Sequence, residues 1–128
     1  MKLLLDTCAF LWLTTDAREL SDQAKTLFKN TENPAYLSSV SIWEIVVKYQ
    51  LKKLPLPNDP EYFINRQCKQ HWIEILPLDG KAIYHLSRLP NYHRDPFDKM
   101  LVCQAIEHDL TILTADEMII QYPVSTIW

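Results

Sequence analysis

The chain has 128 residues, with 48% hydrophobic and 23% charged residues and a formal net charge of −3 at pH 7. This composition and length predict one globular domain, residues 1–128, with its own core. The acidic balance argues against binding long nucleic acid through a general positive field, and the single glycine, Gly80, excludes glycine-rich loops that cradle nucleotide phosphates.

The cysteines and the short apolar runs indicate a cytoplasmic protein. Cys8, Cys68 and Cys103 are widely spaced and odd in number, which fits neither a disulfide framework nor a zinc site. The longest apolar runs are far too short for a membrane span, and Asp6 interrupts the first one before it can act as a signal sequence. We therefore expect no membrane partner.

The first predicted strand is Lys2-Leu3-Leu4-Leu5, a continuous apolar run typical of a strand buried on both faces of a parallel sheet. It ends at Asp6, whose carboxylate is expected at the carboxyl edge of the sheet, where ligands of open α/β sheets bind. The later elements, in chain order, are predicted as a helix at 9–13, a helix to 30 capped by Ser21, a strand at 35–38, a helix at 42–52 capped by Ser39 or Ser41, a helix from 59–60 through 68, a strand at 73–77, a helix at 79–89, a helix at 96–108, and strands at 110–114 and 124–127. This alternation predicts an α/β layer structure with a mainly parallel sheet flanked by helices.

The helix predicted from Pro96 to His108 places an acid in an unexpected position. Asp95 precedes a proline suited to the first helical position, and Asp98 shares one helix face with apolar residues at 101, 102, 105 and 106. An aspartate on this face costs desolvation free energy unless a cation or hydrogen-bond donors meet it. The alternative is that Asp95 or Asp98 only caps the helix and favours its positive end.

Four acids occupy comparable positions at the ends of predicted elements: Asp6, Glu44, Asp98 and Asp116. In a parallel sheet they would meet at one edge, and ionised carboxylates share a small volume only when a cation neutralises them. All-oxygen ligands favour Mg²⁺ or Mn²⁺, and the neighbouring hydroxyls of Thr7, Ser41 and Thr114 are candidates to orient the carboxylates.

Each acid also has a structural alternative. Glu44 and Lys48 have the i, i+4 spacing of a surface salt bridge, Asp116 can cap the last helix, and Asp6 can lie in a loop. The joint occurrence of the four acids at element ends favours the metal site.

Four segments together resemble the PIN domain, and most closely the VapC-like toxins of bacterial toxin–antitoxin pairs. They are Leu3-Leu4-Leu5-Asp6-Thr7, Ser38-Ser39-Val40-Ser41-Ile42-Trp43-Glu44-Ile45, His93-Arg94-Asp95-Pro96-Phe97-Asp98-Lys99 and Leu113-Thr114-Ala115-Asp116-Glu117. The resemblance extends from Lys2 to Trp128. Cys8 departs from it, because relatives often carry histidine there.

The resemblance implies a three-layer PIN-like fold, Mg²⁺-dependent cleavage of single-stranded RNA, a homodimer and inhibition by a cognate antitoxin. It places the family's catalytic and metal-binding acids on Asp6, Glu44, Asp98 and Asp116, with Asp95 in the same motif but in its turn. Arg94 and Lys99, and with less support Lys48 and Lys52, are candidates to contact RNA phosphates.

Two other functions were compared with the nuclease. A non-catalytic PIN-fold module that binds a protein partner would use the aromatic surface that four tryptophans and six tyrosines provide. The site of a phosphoryl-accepting receiver or haloacid-type phosphatase has an Asp-x-Asp motif or a pair of acids after the first strand. Here Asp6-Thr7-Cys8 supplies only one acid at that position. The sequence therefore favours the nuclease, with the binding module as the alternative.

Overall fold

Short strands joined by helices form the protein, as described by a computed structural model of residues 1–128. The strands are β1 (Leu3–Leu5), β2 (Ala35–Ser38), β3 (Ile73–Leu76), β4 (Thr111–Leu113) and β5 (Thr126–Ile127). The α-helices are α1 (Thr7–Thr15), α2 (Asp22–Lys29), α3 (Ser39–Gln50), α4 (Pro60–Gln70), α5 (Gly80–Ile83), α6 (Pro96–His108) and α7 (Glu117–Ile120). A 3₁₀ helix, Tyr84–Arg88, continues α5. No helix has the length and apolar character needed to cross a membrane.

The strands form one sheet in the order β3-β2-β1-β4-β5, and every neighbouring pair is parallel. The prediction of a mainly parallel α/β sheet is confirmed. The chain adds β2 and β3 on one side of β1, and then β4 and β5 on the other. The strand order therefore reverses between β1 and β4, which opens a crevice at their carboxyl ends.

Helices cover both faces of the sheet, as expected for three layers. Alternate residues of the strands point to opposite faces, so Leu5 and Leu4 belong to different apolar clusters. The first cluster includes Leu5, Phe10, Leu37, Ile45, Phe63 and Leu113. The second includes Leu4, Leu101, Val102, Ala105, Ile112 and Ile119.

Two helices begin earlier than the sequence predicted. Asp6 itself caps α1, which therefore starts at Thr7 rather than near Ala9. The predicted start of α3 near Ile42 is also wrong, because Ser38 has extended backbone at the end of β2 and its hydroxyl accepts from Val40 N at 3.0 Å. Glu44 consequently lies in the second turn of α3 rather than in its first.

The helix predicted at 79–89 is only partly α-helical. Asp79 caps it as expected, with Ala82 N donating to Asp79 Oδ1 at 3.1 Å, but the α-helix ends at Ile83 and the 3₁₀ helix follows. Helix ends commonly tighten in this way, and Pro90 disfavours helical geometry at Leu89.

Candidate active site

Asp6 lies at the switch point of the sheet, between the carboxyl ends of β1 and β4. Leu5 pairs in register with Leu113, so the residues that follow, Asp6 and Thr114, are neighbours. Ala9 N donates to Asp6 Oδ1 at 2.6 Å, and the Thr114 hydroxyl donates to Oδ2. Asp6 is 5% exposed, so a buried and hydrogen-bonded carboxylate marks the crevice.

Glu44 is also buried, and it is already neutralised. The Thr7 hydroxyl donates to Glu44 Oε1 at 2.7 Å, and Lys48 Nζ donates to Oε2 at 2.6 Å. The Ser41 hydroxyl lies 3.0 Å from Thr7 Oγ1, so both predicted supporting hydroxyls lie beside this acid. The hydrogen bond to Glu44 raises the pKa of Lys48, which therefore remains charged.

Asp95 caps α6, as the structural alternative for this acid proposed. Its Oδ1 accepts hydrogen bonds from Phe97 N at 2.9 Å and from Asp98 N at 3.3 Å. The carboxylate thereby satisfies amide groups that have no partner within the helix. Its position is explained by the helix start alone.

Asp98 does not cap the helix, and its side chain is 15% exposed. Its Oδ2 lies 3.3 Å from His93 Nε2, and His93 Nδ1 lies 2.7 Å from the Tyr122 hydroxyl oxygen. The sequence motifs assign no role to His93 or Tyr122. His93 opens the third quoted motif, whereas no sequence signal marks Tyr122, which lies 29 positions further along the chain.

Asp116 follows β4 and is exposed. Met118 N donates to its Oδ1 at 2.9 Å, so this acid caps α7 as its structural alternative proposed. Asp116 N donates to Thr114 Oγ1 at 3.0 Å, and the same Thr114 hydroxyl donates to Asp6. The predicted supporting residue Thr114 thus links two of the acids.

Burial and mutual repulsion change the protonation of two carboxylates. Burial raises the pKa of Asp6 to about 6, against hydrogen bonds that lower it and with a smaller contribution from the charges of Asp116 and Glu44. Burial also raises the pKa of Asp98 to about 8, and the charges of Asp95, Asp116, Glu44 and Asp6 add to it.

The chemistry of these donors fits Mg²⁺ or Mn²⁺, because every acid offers carboxylate oxygens. Asp6 and Asp98 are paired with no lysine or arginine, unlike Glu44. A cation would stabilise the ionised carboxylates against the burial and the smaller mutual repulsion that raise their pKa values. No group of three or more acidic, histidine or cysteine side chains has metal-holding geometry, however, so the acids must approach one another to share an ion.

Arg94 and Lys99 line a cavity of about 500 Å³ beside the start of α6. Lys99 Nζ donates to Asn91 Oδ1 at 3.0 Å, and neither residue has an acidic partner. No carboxylate lines this cavity. The two cations are therefore free to meet an anion in this cavity.

Fold and acids together define an α/β protein with an acidic site at the switch point of a parallel sheet. The family model described as the PIN domain matches residues 3–124, so the chain belongs to the PIN domain family. This finding confirms the resemblance drawn from the four sequence segments. No curated protein matches the chain.

Several solved structures share the fold at low sequence identity. VapBC2 from Rickettsia felis bound to a promoter DNA fragment is 16% identical with a TM-score of 0.74, and the match covers 99% of this chain and 98% of that chain. DNA-bound VapBC from Salmonella typhimurium is 19% identical with a TM-score of 0.73, covering 99% and 97%. FitAcB from Neisseria gonorrhoeae is 18% identical with a TM-score of 0.68, covering 98% and 96%.

Proposed function

We propose that this protein is a divalent-metal-dependent endoribonuclease that cuts single-stranded RNA and is the toxin of a toxin–antitoxin pair. The observation that carries the proposal is the pair Asp6 and Asp98, whose buried or half-buried carboxylates lack a lysine or arginine partner and have raised pKa values. Membership of the PIN family and the fold shared with VapBC and FitAcB complexes support it.

Asp6 and Asp98 would bind Mg²⁺, with Asp116 or Glu44 completing the site. The metal would supply positive charge to the phosphate and activate water for attack on phosphorus. Thr114 fixes the orientation of the Asp6 carboxylate through its hydroxyl. Lys48 and Thr7 hold the buried Glu44 carboxylate in place through hydrogen bonds.

Arg94 and Lys99 would contact the phosphates of the RNA next to the cleaved bond. They belong to the same segment as Asp98 and have no ion-pair partner, so binding a phosphate breaks no existing salt bridge. Lys48 is less suited to this role because its ammonium group is paired with Glu44. Lys52 is exposed, and no hydrogen bond or ion pair supports a role for it in binding phosphate.

Cleavage of a structured RNA with single-stranded loops tests the reaction. We expect cuts with Mg²⁺ or Mn²⁺ that stop in EDTA, and loss of cutting in Asp6→Asn and Asp98→Asn. Asp59→Asn is the matched control, since Asp59 caps α4 through Tyr62 N at 3.0 Å away from the acids. Cutting that persists unchanged in EDTA contradicts the metal reaction.

A homodimer is part of the proposal, and the segment from α5 to Arg88 provides a suitable surface. Ile83, Tyr84 and Leu86 are large apolar or aromatic residues that this segment leaves exposed. Contiguous apolar surface of this kind commonly marks an interface. Light scattering after size exclusion should give a dimer for the wild type and a monomer for Leu86→Glu, while Tyr62→Glu on the exposed face of α4 should remain dimeric.

A non-catalytic protein-binding module remains the second candidate. The exposed Trp43, which lines the cavity beside the start of α6, favours it. The two functions differ in their response to Asp98→Asn. A binding module retains its partner and shows no metal-dependent cutting in either form.

A further inference from the structure

A chain of hydrogen bonds runs from Tyr122 through His93 to Asp98. The Tyr122 hydroxyl oxygen lies 2.7 Å from His93 Nδ1, and His93 Nε2 lies 3.3 Å from Asp98 Oδ2. Tyr122 is buried, and the His93 side chain is 11% exposed. We infer that His93, itself oriented by Tyr122, is a positioning residue that presents the Asp98 carboxylate to the metal. This inference rests on the proposed function.

Asp98, when ionised as a metal ligand must be, fixes the direction of its hydrogen bond with His93. An ionised carboxylate only accepts hydrogen bonds, so His93 Nε2 carries a proton and donates. In the neutral ring Nδ1 is then an acceptor, and the Tyr122 hydroxyl donates to it. The other carboxylate oxygen of Asp98, Oδ1, has no hydrogen-bond partner in the protein and is open to a cation.

Packing explains why this carboxylate requires such a support. The residues from Asn91 to Asp95 lie in no helix or strand, and they lead directly into the turn of α6 that carries Asp98. Tyr122, by contrast, belongs to the apolar cluster that contains Leu4 and Ile119. His93 therefore connects an irregular segment to the core. Hydrogen bonds to metal ligands from such neighbouring residues fix ligand orientation, and their loss typically lowers metal affinity.

Calorimetric titration of the full chain with Mn²⁺ tests the inference without relying on activity. His93→Ala should weaken binding by about 10- to 100-fold, the range typical for loss of a residue that orients a metal ligand. His93→Gln keeps an N–H donor at the position of Nε2 and should recover part of this loss. Tyr122→Phe keeps the aromatic ring, removes only the hydroxyl, and should weaken binding by a smaller factor than His93→Ala.

Tyr92→Phe is the matched control. Its ring centroid lies 5.1 Å from that of Tyr122, but its hydroxyl makes no hydrogen bond and the residue is exposed. This variant should bind Mn²⁺ as the wild type does. If Tyr122→Phe and His93→Ala also bind with wild-type affinity, the positioning role is overturned.

Cleavage at varied metal concentration separates positioning from general damage to the fold. The Mn²⁺ concentration that gives half-maximal cutting should rise in Tyr122→Phe, while kcat at saturating Mn²⁺ should return to the wild-type value. A reduced kcat at every metal concentration, with unchanged Mn²⁺ affinity, overturns the inference. Wild-type protein that binds no divalent metal refutes the inference together with the proposed metal reaction, whereas wild-type binding that the variants do not change refutes the inference alone.

Discussion

Asp6 serves the fold and the site with the same carboxylate. One oxygen caps α1 through Ala9 N and the other accepts from Thr114, yet burial still raises the pKa of this group to about 6. The hydrogen bonds therefore recover only part of the desolvation cost. Placing the Asp6 carboxylate in the crevice therefore lowers the stability of the fold.

This cost predicts how stability depends on pH in the absence of metal. The pKa of Asp6 is higher in the folded protein than the ordinary value of 3.8, so the folded state binds more protons. Its contribution to stability is therefore lost as the pH rises from about 4 to about 6. Asp6→Asn keeps a capping oxygen and should be more stable than wild type at pH 8, by roughly 1–3 kcal/mol at about 1.4 kcal/mol per pKa unit.

Urea unfolding in EDTA at pH 4 and pH 8 measures this effect. The difference between Asp6→Asn and wild type should be small at pH 4 and should favour the variant at pH 8. A variant that is less stable than wild type at pH 8 would show that the ionised carboxylate stabilises the apo fold instead.

At the scale of the elements, local sequence patterns predicted whether a segment is a helix or a strand, but they did not predict every boundary. Proline after Asp95 and the apolar spacing after Asp98 predicted α6 at its observed bounds, Pro96–His108. The prediction that Ser39 or Ser41 caps α3 is wrong, because Ser38 is the cap. Their roles depend on distant partners, since Ser39 Oγ accepts from Leu78 N and Ser41 contacts Thr7.

The role of Gln104 also could not be predicted from local sequence patterns, although its helix was predicted correctly. It is fully buried in α6, accepts a hydrogen bond from the Ser38 hydroxyl, and its Nε2 donates to the Pro77 carbonyl at 3.2 Å. No local pattern distinguishes this glutamine from one on a solvated face. Gln104→Leu should destabilise the fold by about 1–3 kcal/mol, because the buried Ser38 hydroxyl loses its acceptor and the Pro77 carbonyl loses a donor.

Denaturant unfolding of Gln104→Leu and of Gln67→Leu on α4 provides the comparison. The side chain of Gln67 makes no hydrogen bond, so its replacement should change stability little. Equal small effects in both variants would remove the structural role assigned to Gln104.

Substitutions at Asp95 should separate the effect of helix capping from an effect on catalysis. Asp95→Asn retains an acceptor for Phe97 N and should preserve both stability and RNA cleavage. Asp95→Ala removes the cap and should cost about 1 kcal/mol, with reduced cleavage because the first turn of α6 carries Asp98. Unfolding and cleavage measured on both variants, beside Asp98→Asn, check this. Complete loss of cleavage in a stable Asp95→Asn would instead make Asp95 a direct member of the site.

At the scale of the whole molecule, the alternation of strands and helices predicted a mainly parallel sheet, and the observed topology confirms it. That the acids at strand and helix ends form one site at its edge stays a prediction. The i, i+4 pairing of Glu44 with Lys48 follows from their spacing and is observed. The chain from Tyr122 to Asp98 could not be predicted in this way, because it depends on side-chain packing between residues far apart in sequence.

The acidic edge also predicts how an antitoxin would inhibit the protein. An arginine from the antitoxin tail would meet Asp6 and Asp98, because its planar guanidinium group can bridge two carboxylates and neutralise their charge. The apolar side of the tail would bind separately, in a groove flanked by aromatic residues. Such a partner would block the RNA path and compete with metal.

Titration of the protein with the tail peptide of the proposed antitoxin, with and without this arginine, measures the two contributions. Removal of the arginine should relieve inhibition of cleavage more than it weakens binding, since the apolar contacts survive. Asp6→Asn should bind the intact peptide more weakly than wild type does, but should bind the arginine-free peptide equally well. If removing the arginine changes inhibition and binding in equal proportion, the tail acts only by covering the site, and the arginine has no separate effect on the acids.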